Sequence, residues 1–428
     1  MASAYLVPFA GSILPPPPSE WVLTMQHIVI VGGGFAGVWS ALGASAARRE
    51  LGRAGAATRI TLVTREPYLT IRPRLYEANP ASLRVPLDDL LQSRGVELVV
   101  GDVTRIAASA RMVAVRAGGA TRTVPYDRLI LAAGSRLRRP AVPGADHAFS
   151  VDTYHDAVAL DRHLSELTDD GVEGRRNGRF TAVVVGAGLT GLEVGTAMMS
   201  RLRRLTTRAR SPRQAPRVFL VERAELVAPD LGANPRPLVQ TALQTLGVEV
   251  RTGAAVVELT RDRVTLSTGE QIDAATTVWT AGLCATDLTL QLPGERDELG
   301  RLVVDDCLRV RGVDGVFAAG DAARTMADPE HVAPMSCQFA IPMGDRAGRN
   351  AMADLTGREP TAFRPPPYVT CVDLGEWGGL FTQGWDRQVH LAGFWGTKMK
   401  ETINTRMIYP PGAAGGTVTS PRAARPAA

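Results

Sequence analysis

Lysine is almost absent from this chain of 428 residues: of 48 basic residues only Lys398 and Lys400 are lysine, and the rest are arginine. The arginines are spread along the sequence and form no dominant tract, so a net charge of +5 indicates a solvated surface and not a nucleic-acid-binding protein. The abundance of arginine, alanine and glycine is typical of a GC-rich bacterial genome.

Cysteine is also scarce, with four residues and no pair at CxxC spacing. A chain long enough for two or three domains needs no disulfide scaffold, so we expect a reducing, cytoplasmic compartment. No run of 18 or more apolar residues is present, which argues against a membrane-spanning helix. The sequence contains no HxxxH pattern or carboxylate cluster, and we predict no metal site.

The two ends of the chain differ in composition from its centre. Residues 1–24 contain ILPPPPSEW and lack the features of a signal peptide, so we expect a disordered extension, with Met25 as an alternative start. Residues 412–428 are rich in small residues and proline and are also predicted to be disordered.

A strand, a glycine turn and a helix follow one another twice. The first copy has a buried strand at His27–Val31, then GGGFAG, then a helix at Phe35–Glu50; the second spans Thr181–Leu202. Two further pairs of segments, GVELVVGDV with GVEVRTGAA and LAAG with WTAG, recur in the same order about 150 residues apart. This duplication predicts an α/β fold with two Rossmann-like dinucleotide-binding domains and a small C-terminal α+β region.

Each glycine turn matches GxGxxG, in which the glycines allow a tight turn, close approach of a diphosphate and packing of helix on strand. Unpaired N–H groups at the start of the helix then face the diphosphate. The matching glycines are Gly32, Gly34 and Gly37 in the first copy and Gly186, Gly188 and Gly191 in the second.

An acidic residue after the next strand of such a fold holds the ribose hydroxyls. The second copy has Glu222 at this position, which favours NADH because a carboxylate repels a 2′-phosphate; the neighbouring Arg223 leaves NADPH open as the less favoured alternative. The first copy has Thr64 there instead.

The order GGGFAG, YDRLILAAG, GAGLTGLE, TAG and GVFAAGD resembles the two-dinucleotide flavoproteins related to glutathione reductase. The resemblance implies FAD on the first turn and on the GD motif, which we expect at the start of a helix, and NAD(P)H on the second turn. Tyr68–Ala81 lacks the redox cysteines of the disulfide reductases and looks like the PLLY segment of type II NADH dehydrogenases, with Pro73 and Leu75 against the flavin. Cys337–Gly344 resembles their AQxAxQ motif, except that Pro342 replaces the second glutamine.

The resemblance also implies the site residues. Glu193, near the nicotinamide and flavin, and Gln338, on the acceptor side, are the predicted catalytic residues. The predicted FAD contacts are Gly32, Gly34, Phe35, Ala36, Gly37, Thr64, Arg65, Pro73, Val103, Ala133, Gly320, Asp321, Gln338 and Ala340. The predicted NADH contacts are Gly186, Gly188, Leu189, Thr190, Gly191, Glu193, Glu222, Ala281 and Gly282.

These assignments imply a discontinuous FAD-binding domain at 25–150 and 295–365, an NAD(P)H-binding domain at 151–294 and a C-terminal interface or membrane-facing region at 366–411. Within the last region, Phe394, Met399, Ile403 and Met407 can share one helix face, with Lys400 elsewhere around it. This segment, 394–409, is predicted either to lie on a membrane surface or to pack on the protein's own core or across a homodimer.

The function implied by the resemblance is transfer of a hydride from NADH to FAD and of electrons to a quinone, at the cytoplasmic face of the cell membrane. Two alternatives remain open at this point. One is a soluble NADH-dependent flavoenzyme that reduces a protein or a specialised metabolite, and the other is a non-catalytic redox sensor that binds NADH.

Overall fold

A computed structural model describes residues 25–138, 140–168, 178–209 and 215–412 of the chain. The predicted disorder of residues 1–24 and of the tail after residue 412 lies outside the described residues.

The described chain alternates strands and helices. Its α-helices are α1 Phe35–Glu50, α2 Arg53–Ala56, α3 Asp88–Gln92, α4 Tyr154–Glu166, α5 Leu189–Arg208, α6 Arg236–Leu246, α7 Cys337–Leu355 and α8 Phe394–Thr402. Its strands are β1 Gln26–Val31, β2 Thr58–Thr64, β3 Tyr68–Thr70, β4 Arg84–Pro86, β5 Glu97–Val100, β6 Asp102–Ala107, β7 Met112–Ala117, β8 Ala120–Pro125, β9 Arg128–Leu131, β10 Ser135–Leu137, β11 Thr181–Val185, β12 Arg217–Val221, β13 Val248–Arg251, β14 Val256–Leu259, β15 Arg263–Leu266, β16 Gln271–Asp273, β17 Thr276–Trp279, β18 Leu283–Ala285, β19 Leu302–Val303, β20 Val316–Ala318, β21 Ala323–Arg324, β22 Val369–Asp373, β23 Gly379–Gln383 and β24 Gln388–Gly393.

The first large sheet is parallel, with strand order β20-β9-β1-β2-β5. Its central strand β1 has an uninterrupted apolar run, Ile28–Val31, that is buried throughout. Such runs are expected where a parallel sheet is covered on both faces. Strand β20 follows the second copy in sequence, so the chain returns to the first sheet after completing the second.

The second large sheet repeats this arrangement, with parallel order β13-β12-β11-β17. Strand β11 occupies the position of β1, and helix α5 follows it as α1 follows β1. The predicted α/β fold with two Rossmann-like units is therefore confirmed.

The two units meet at a short antiparallel pair formed by β10 and β18. These strands directly follow the recurring LAAG and WTAG segments, so equivalent points of the two copies lie side by side. The Arg138 N–H donates to the Gly282 carbonyl at 2.7 Å and extends the pairing.

Helix α7 lies directly on α1 because the contact is made by small residues. A Cβ on Gly344 would stand 2.3 Å from the Ala36 carbonyl oxygen, and one on Gly348 would stand 2.1 Å from that of Ser40. This close crossing fixes the N-terminus of α7 beside the first glycine turn.

The C-terminal region is the antiparallel sheet β22-β23-β24 with α8 packed on it. The backbones of α8 and β23 are in close contact, since a Cβ on Gly396 would stand 2.0 Å from the Gly379 oxygen. The helix ends at Thr402 and continues as a π-helical turn over Ile403–Met407, so it is shorter than the predicted segment 394–409.

The recurring GVELVVGDV segment contains two strands, β5 and the start of β6, which belong to different sheets and are separated at Gly101. One predicted element was wrong. The GD motif does not begin an α-helix: Gly320–Ala322 is a 3₁₀ turn, and the chain then extends as β21 because it pairs with β19.

The glycine turns permit a direct test of folding. In Gly37→Ala the new Cβ would stand 1.7 Å from the Gly32 oxygen, so strand and helix must separate. We expect a loss of about 2–3 kcal/mol in unfolding free energy, and a midpoint of thermal unfolding lower by roughly 5 °C or more in cofactor-free protein.

Gly34→Ala is the matched control, because its Cβ would meet no atom within 4 Å and its φ of −81° suits any residue. Its midpoint should fall by about 1–3 °C, since alanine is a poorer N-cap than glycine by roughly 0.5–1 kcal/mol. Equal losses in the two variants would contradict this account of the turn.

Candidate functional site

The first glycine turn is an open cradle of backbone at the start of α1. Gly32 has a φ of +115°, and a Cβ there would stand 2.3 Å from the Ala132 oxygen, so only glycine can make this turn. Gly34 faces open space. The N-terminal N–H groups of α1 are therefore accessible to a diphosphate, as the sequence predicts.

Several residues predicted to contact FAD converge on this cradle. A Cβ on Gly320 would stand 2.7 Å from that of Ala36 and 3.3 Å from that of Ala340. Three segments distant in sequence thus meet at the beginning of α1: the first turn, the GD motif and the first turn of α7.

Thr64 ends β2, on the side of the cradle where the ribose is predicted. Its hydroxyl lies against Gly33, where a Cβ would be 2.3 Å away. Arg65 is exposed and lies 4.0 Å from Asp102, which precedes the predicted contact Val103. Thr64, Arg65 and Val103 therefore share the carboxyl edge of β2 and β5, and their role as FAD contacts stays a prediction.

Asp321 of the GD motif belongs to a polar cluster. It accepts a hydrogen bond from the Ser135 hydroxyl at 2.6 Å and lies 3.7 Å from the Arg72 guanidinium. Arg72 also pairs with Asp152 and donates to the Ser135 hydroxyl at 2.8 Å. Arg72 therefore connects Tyr68–Ala81, the segment predicted to face the flavin and called the flavin-facing segment below, with the GD motif.

The buried side chain of Arg74 anchors the flavin-facing segment to the C-terminal region. Arg74 is only 2% exposed and makes a bidentate pair with Glu77, with both distances 2.8 Å. Its remaining Nη1 donates to the Tyr409 hydroxyl at 3.0 Å. The partly exposed Pro73, a predicted FAD contact, is thus positioned by contacts to the C-terminal region.

The second cradle repeats the first. Gly186 has a φ of +101°, and a Cβ on Gly191 would stand 1.7 Å from the Gly186 oxygen. Glu222 at the end of β12 accepts the Ala187 N–H at 2.7 Å and the Ala224 N–H at 2.8 Å. Its carboxylate is thereby fixed beside the turn.

The other predicted NADH contacts lie around this turn. Leu189 and Thr190 open α5, with Thr190 exposed. Ala281 and Gly282 follow β17, and a Cβ on Gly186 would stand 3.0 Å from that of Ala281. These positions agree with a dinucleotide lying across the cradle, and the individual contacts stay predictions.

Glu193 lies on the first turns of α5 and is buried, with 10% of its side chain exposed. Its Oε1 accepts from the Lys400 ammonium at 2.5 Å and from the Asp373 N–H at 3.1 Å. Burial raises the pKa of Glu193, and Lys400 opposes this shift; Glu193 in turn raises the pKa of Lys400 against the effect of burial.

Sequence reasoning missed Lys400, which was expected only to flank an apolar helix face. The structure corrects this: Lys400 is buried and also donates to the Cys371 carbonyl at 3.0 Å. The rarity of lysine was the signal that could have identified Lys400, since nearly every other basic residue of the chain is arginine. The lysine ammonium is a compact point charge with three donors, so it donates to the Glu193 carboxylate and to the Cys371 carbonyl at once.

Gln338 follows the first residue of α7, and its amide donates to the Pro367 carbonyl at 2.7 Å. Pro342, which replaces the second glutamine of the resembled motif, lies inside α7 and is partly exposed. Ala340 therefore belongs to the face where α7 meets the GD motif at the first cradle, whereas Gln338 is bonded to the segment that leads into β22 and its role stays a prediction.

Cysteine and metal chemistry find no support among the described residues. All four cysteines are free. Burial raises the pKa of the Cys337 thiol to about 11 and that of Cys371 to about 12, so neither is a thiolate at neutral pH. No group of three or more potential metal ligands occurs within the described ranges.

Comparison with known proteins identifies the family. A model of the pyridine nucleotide-disulphide oxidoreductase family matches residues 26–344. An NADH dehydrogenase-like protein of Mycobacterium tuberculosis is 45% identical over 388 residues, which cover 90% of this chain and 95% of that protein.

Two further likenesses point the same way. The type II NADH:quinone oxidoreductase of M. tuberculosis is 30% identical over 368 residues, which cover 80% of this chain and 76% of that one. The structure of NDH2 from Plasmodium falciparum in complex with NADH superimposes with a TM-score of 0.77 at 13% identity, covering 90% of this chain and 95% of that one, and shows the shared fold.

Family membership implies FAD and NADH as cofactors, in agreement with the two cradles, and so confirms the predicted pair. The protein is thus an NADH-dependent FAD oxidoreductase, and the chain belongs to the pyridine nucleotide-disulphide oxidoreductase family.

Proposed function

We propose that this enzyme oxidises NADH on the second cradle and passes the electrons through FAD to a quinone. The observation that carries the proposal is the joining of three parts at Glu193: the NADH-binding helix α5, the C-terminal strand β22 through Asp373, and helix α8 through Lys400. Relatives named as type II NADH:quinone oxidoreductases support the choice of acceptor.

Hydride transfer between two nucleotides depends on alignment and exclusion of water more than on acid–base catalysis. FAD, when bound, supplies the two-electron acceptor. The chain contributes two glycine cradles and the buried Glu193, which joins α5 of the second cradle to the C-terminal region. The attraction between Glu193 and Lys400 offsets part of the cost of removing both charges from water.

The acceptor is proposed to approach from the side of Gln338 and Ala340. Pro342 removes the second glutamine of the resembled motif and with it one hydrogen-bonding group for a quinone oxygen. That departure favours, as a second candidate, an acceptor other than a long-chain quinone, such as a protein or a specialised metabolite.

Contact with a membrane surface is proposed for α8 and the turn after it. Phe394, Trp395 and Met407 are 64%, 66% and 64% exposed, and Lys398 lies over the Phe394 ring at 5.6 Å. The opposite face is buried against the protein, which is where Lys400 lies. An apolar edge with adjacent cations is typical of interfacial helices.

This surface would place the enzyme at the cytoplasmic face of the cell membrane. Within the described ranges, no helix is both long and apolar enough to span a bilayer. Formation of a homodimer stays a prediction.

The acceptor is tested by steady-state NADH oxidation with menadione, a long-chain quinone and a protein acceptor such as cytochrome c. We expect quinone turnover, and Gln338→Ala should lower kcat/KM for quinone by about tenfold, the loss of roughly one hydrogen bond. Gln383→Ala, an exposed glutamine at the end of β23, is the control. Turnover with cytochrome c but with no quinone would contradict the proposal.

The nicotinamide nucleotide is tested at Glu222. Replacement by alanine removes the carboxylate that faces a 2′-phosphate, so the NADH-to-NADPH ratio of kcat/KM should fall by at least about tenfold. Glu225→Ala, which removes an exposed carboxylate three residues along, should leave the ratio unchanged. A wild-type preference for NADPH would show that Glu222 does not select the nucleotide.

Membrane contact is tested by flotation with phosphatidylglycerol-containing vesicles. We expect the wild-type protein to float and the double variant Phe394→Ser/Trp395→Ser to bind at least about tenfold more weakly, since two large apolar side chains are lost. Leu226→Ser/Leu290→Ser, which removes exposed apolar residues elsewhere, is the matched control. Wild-type protein that stays with the unbound fraction contradicts the proposal.

A further inference from the structure

A second carboxylate, that of the partly buried Asp373, lies beside Glu193, and the reaction as described so far does not use it. Asp373 ends β22; its Oδ1 accepts the Gly375 N–H at 2.9 Å and its Oδ2 accepts the Tyr76 hydroxyl at 3.1 Å. Its backbone N–H donates to Glu193, which Lys400 contacts in turn. A continuous chain of polar groups therefore runs from Tyr76 in the flavin-facing segment to Lys400 in α8.

The charges of the polar groups between Tyr76 and Lys400 do not balance when every group is ionised. Lys400 is the cation in contact with Glu193, at 2.5 Å, and it compensates that carboxylate. The nearby Glu77 is already paired with Arg74. Asp373 has no cation of its own within hydrogen-bonding distance among the described residues, and partial removal from water without a cation shifts a carboxylate towards its protonated form.

The direction of the pKa shift of Asp373 agrees with this excess of negative charge. Burial raises the pKa of Asp373, and Glu77 acts in the same direction, whereas Lys400, the Gly375 N–H and the Tyr76 hydroxyl act against it. Burial and the negative charges of Asp373, Glu193 and Glu77 raise the pKa of Tyr76, which keeps this hydroxyl protonated. Besides these groups, the Cys371 thiol faces Lys400, and burial keeps it neutral.

The stoichiometry of the reaction creates a need for such a proton. NADH gives up a hydride, that is two electrons and one proton, whereas a quinol contains two new O–H bonds. The balanced reaction of NADH, one H⁺ and a quinone yields NAD⁺ and the quinol, so a second proton must come from the protein or from water.

We propose that Asp373 holds this second proton and that the Tyr76 hydroxyl passes it towards the acceptor. In the step, the Asp373 O–H bond breaks as the Tyr76 oxygen accepts its proton, Tyr76 gives its own proton to the quinone oxygen, which becomes a quinol O–H, and bulk water later reprotonates Asp373. Tyr76 can serve both ways because a phenol hydroxyl is at once a donor and an acceptor. The inference rests on the proposed quinone reductase function, and Asp373, which acts through Tyr76, is a positioning residue.

The first test requires no turnover. Infrared difference spectra between the wild-type holoenzyme and Asp373→Asn at pH 7 should contain the C=O stretching band of one protonated carboxyl group in the wild type. Absence of that band overturns the proposal whatever the acceptor is, because Asp373 would then be ionised and hold no proton.

The second test separates the two half-reactions by rapid mixing. Asp373→Asn should slow reoxidation of the reduced enzyme by menadione by about 10²-fold, the usual contribution of a positioned proton donor. In the wild type this rate should fall as pH rises through the pKa of Asp373, and in the variant that inflection should disappear. Reduction by NADH should change less than about threefold, since it uses no proton from Asp373.

Tyr76→Phe removes one hydroxyl without altering the shape of the side chain and should also slow reoxidation and abolish the inflection. If Asp373→Asn fails to fold, the Tyr76→Phe variant tests the proposed proton transfer by itself. Glu376→Gln, which removes an exposed carboxylate paired with Arg203 three residues away, is the matched control and should behave as wild type. An unchanged pH profile in Tyr76→Phe or Asp373→Asn overturns the proposal, whereas a wild-type enzyme that no quinone reoxidises refutes the proposed function instead.

Discussion

Two helices of this protein begin directly at the ends of buried strands, and they can do so only because no side chain stands between strand and helix. At Gly37 and Gly191 a Cβ would be 1.7 Å from a carbonyl oxygen of the turn, a distance that no relaxation of a side chain can relieve. The same contact that brings helix and strand together leaves Gly34 open. Folding and binding of a diphosphate are therefore separable properties of one short turn.

The C-terminal region is fixed to both nucleotide-binding units by buried cations. Lys400 reaches Glu193 on the second unit, and Arg74 on the first unit reaches Tyr409 near the end of the described chain. Loss of one partner from such a buried pair leaves an uncompensated charge, which typically costs about 3–5 kcal/mol. The apolar edge of α8 proposed for the membrane is thus connected through buried contacts to the segment predicted to face the flavin.

Local patterns were enough to predict the two units and both glycine turns, because each depends on residues close together in sequence, whereas Glu193 was singled out by the family resemblance. The partners of Glu193 were not predictable in this way. Lys400 is 207 residues from it and Asp373 is 180 residues away, and neither stands in a local motif that specifies a partner. The GD motif was placed at a helix because its composition allows one; pairing of β21 with β19, a tertiary contact, decided otherwise.

The central claim is that two backbone cradles in one chain hold FAD and NADH so that a hydride passes between them. Anaerobic addition of an equimolar amount of NADH to the purified FAD-loaded protein, followed by flavin absorbance, tests it most directly. The account predicts rapid bleaching of the flavin, slowed by Gly188→Ala in the second cradle. A protein that binds FAD but keeps its full flavin absorbance in the presence of NADH would contradict it.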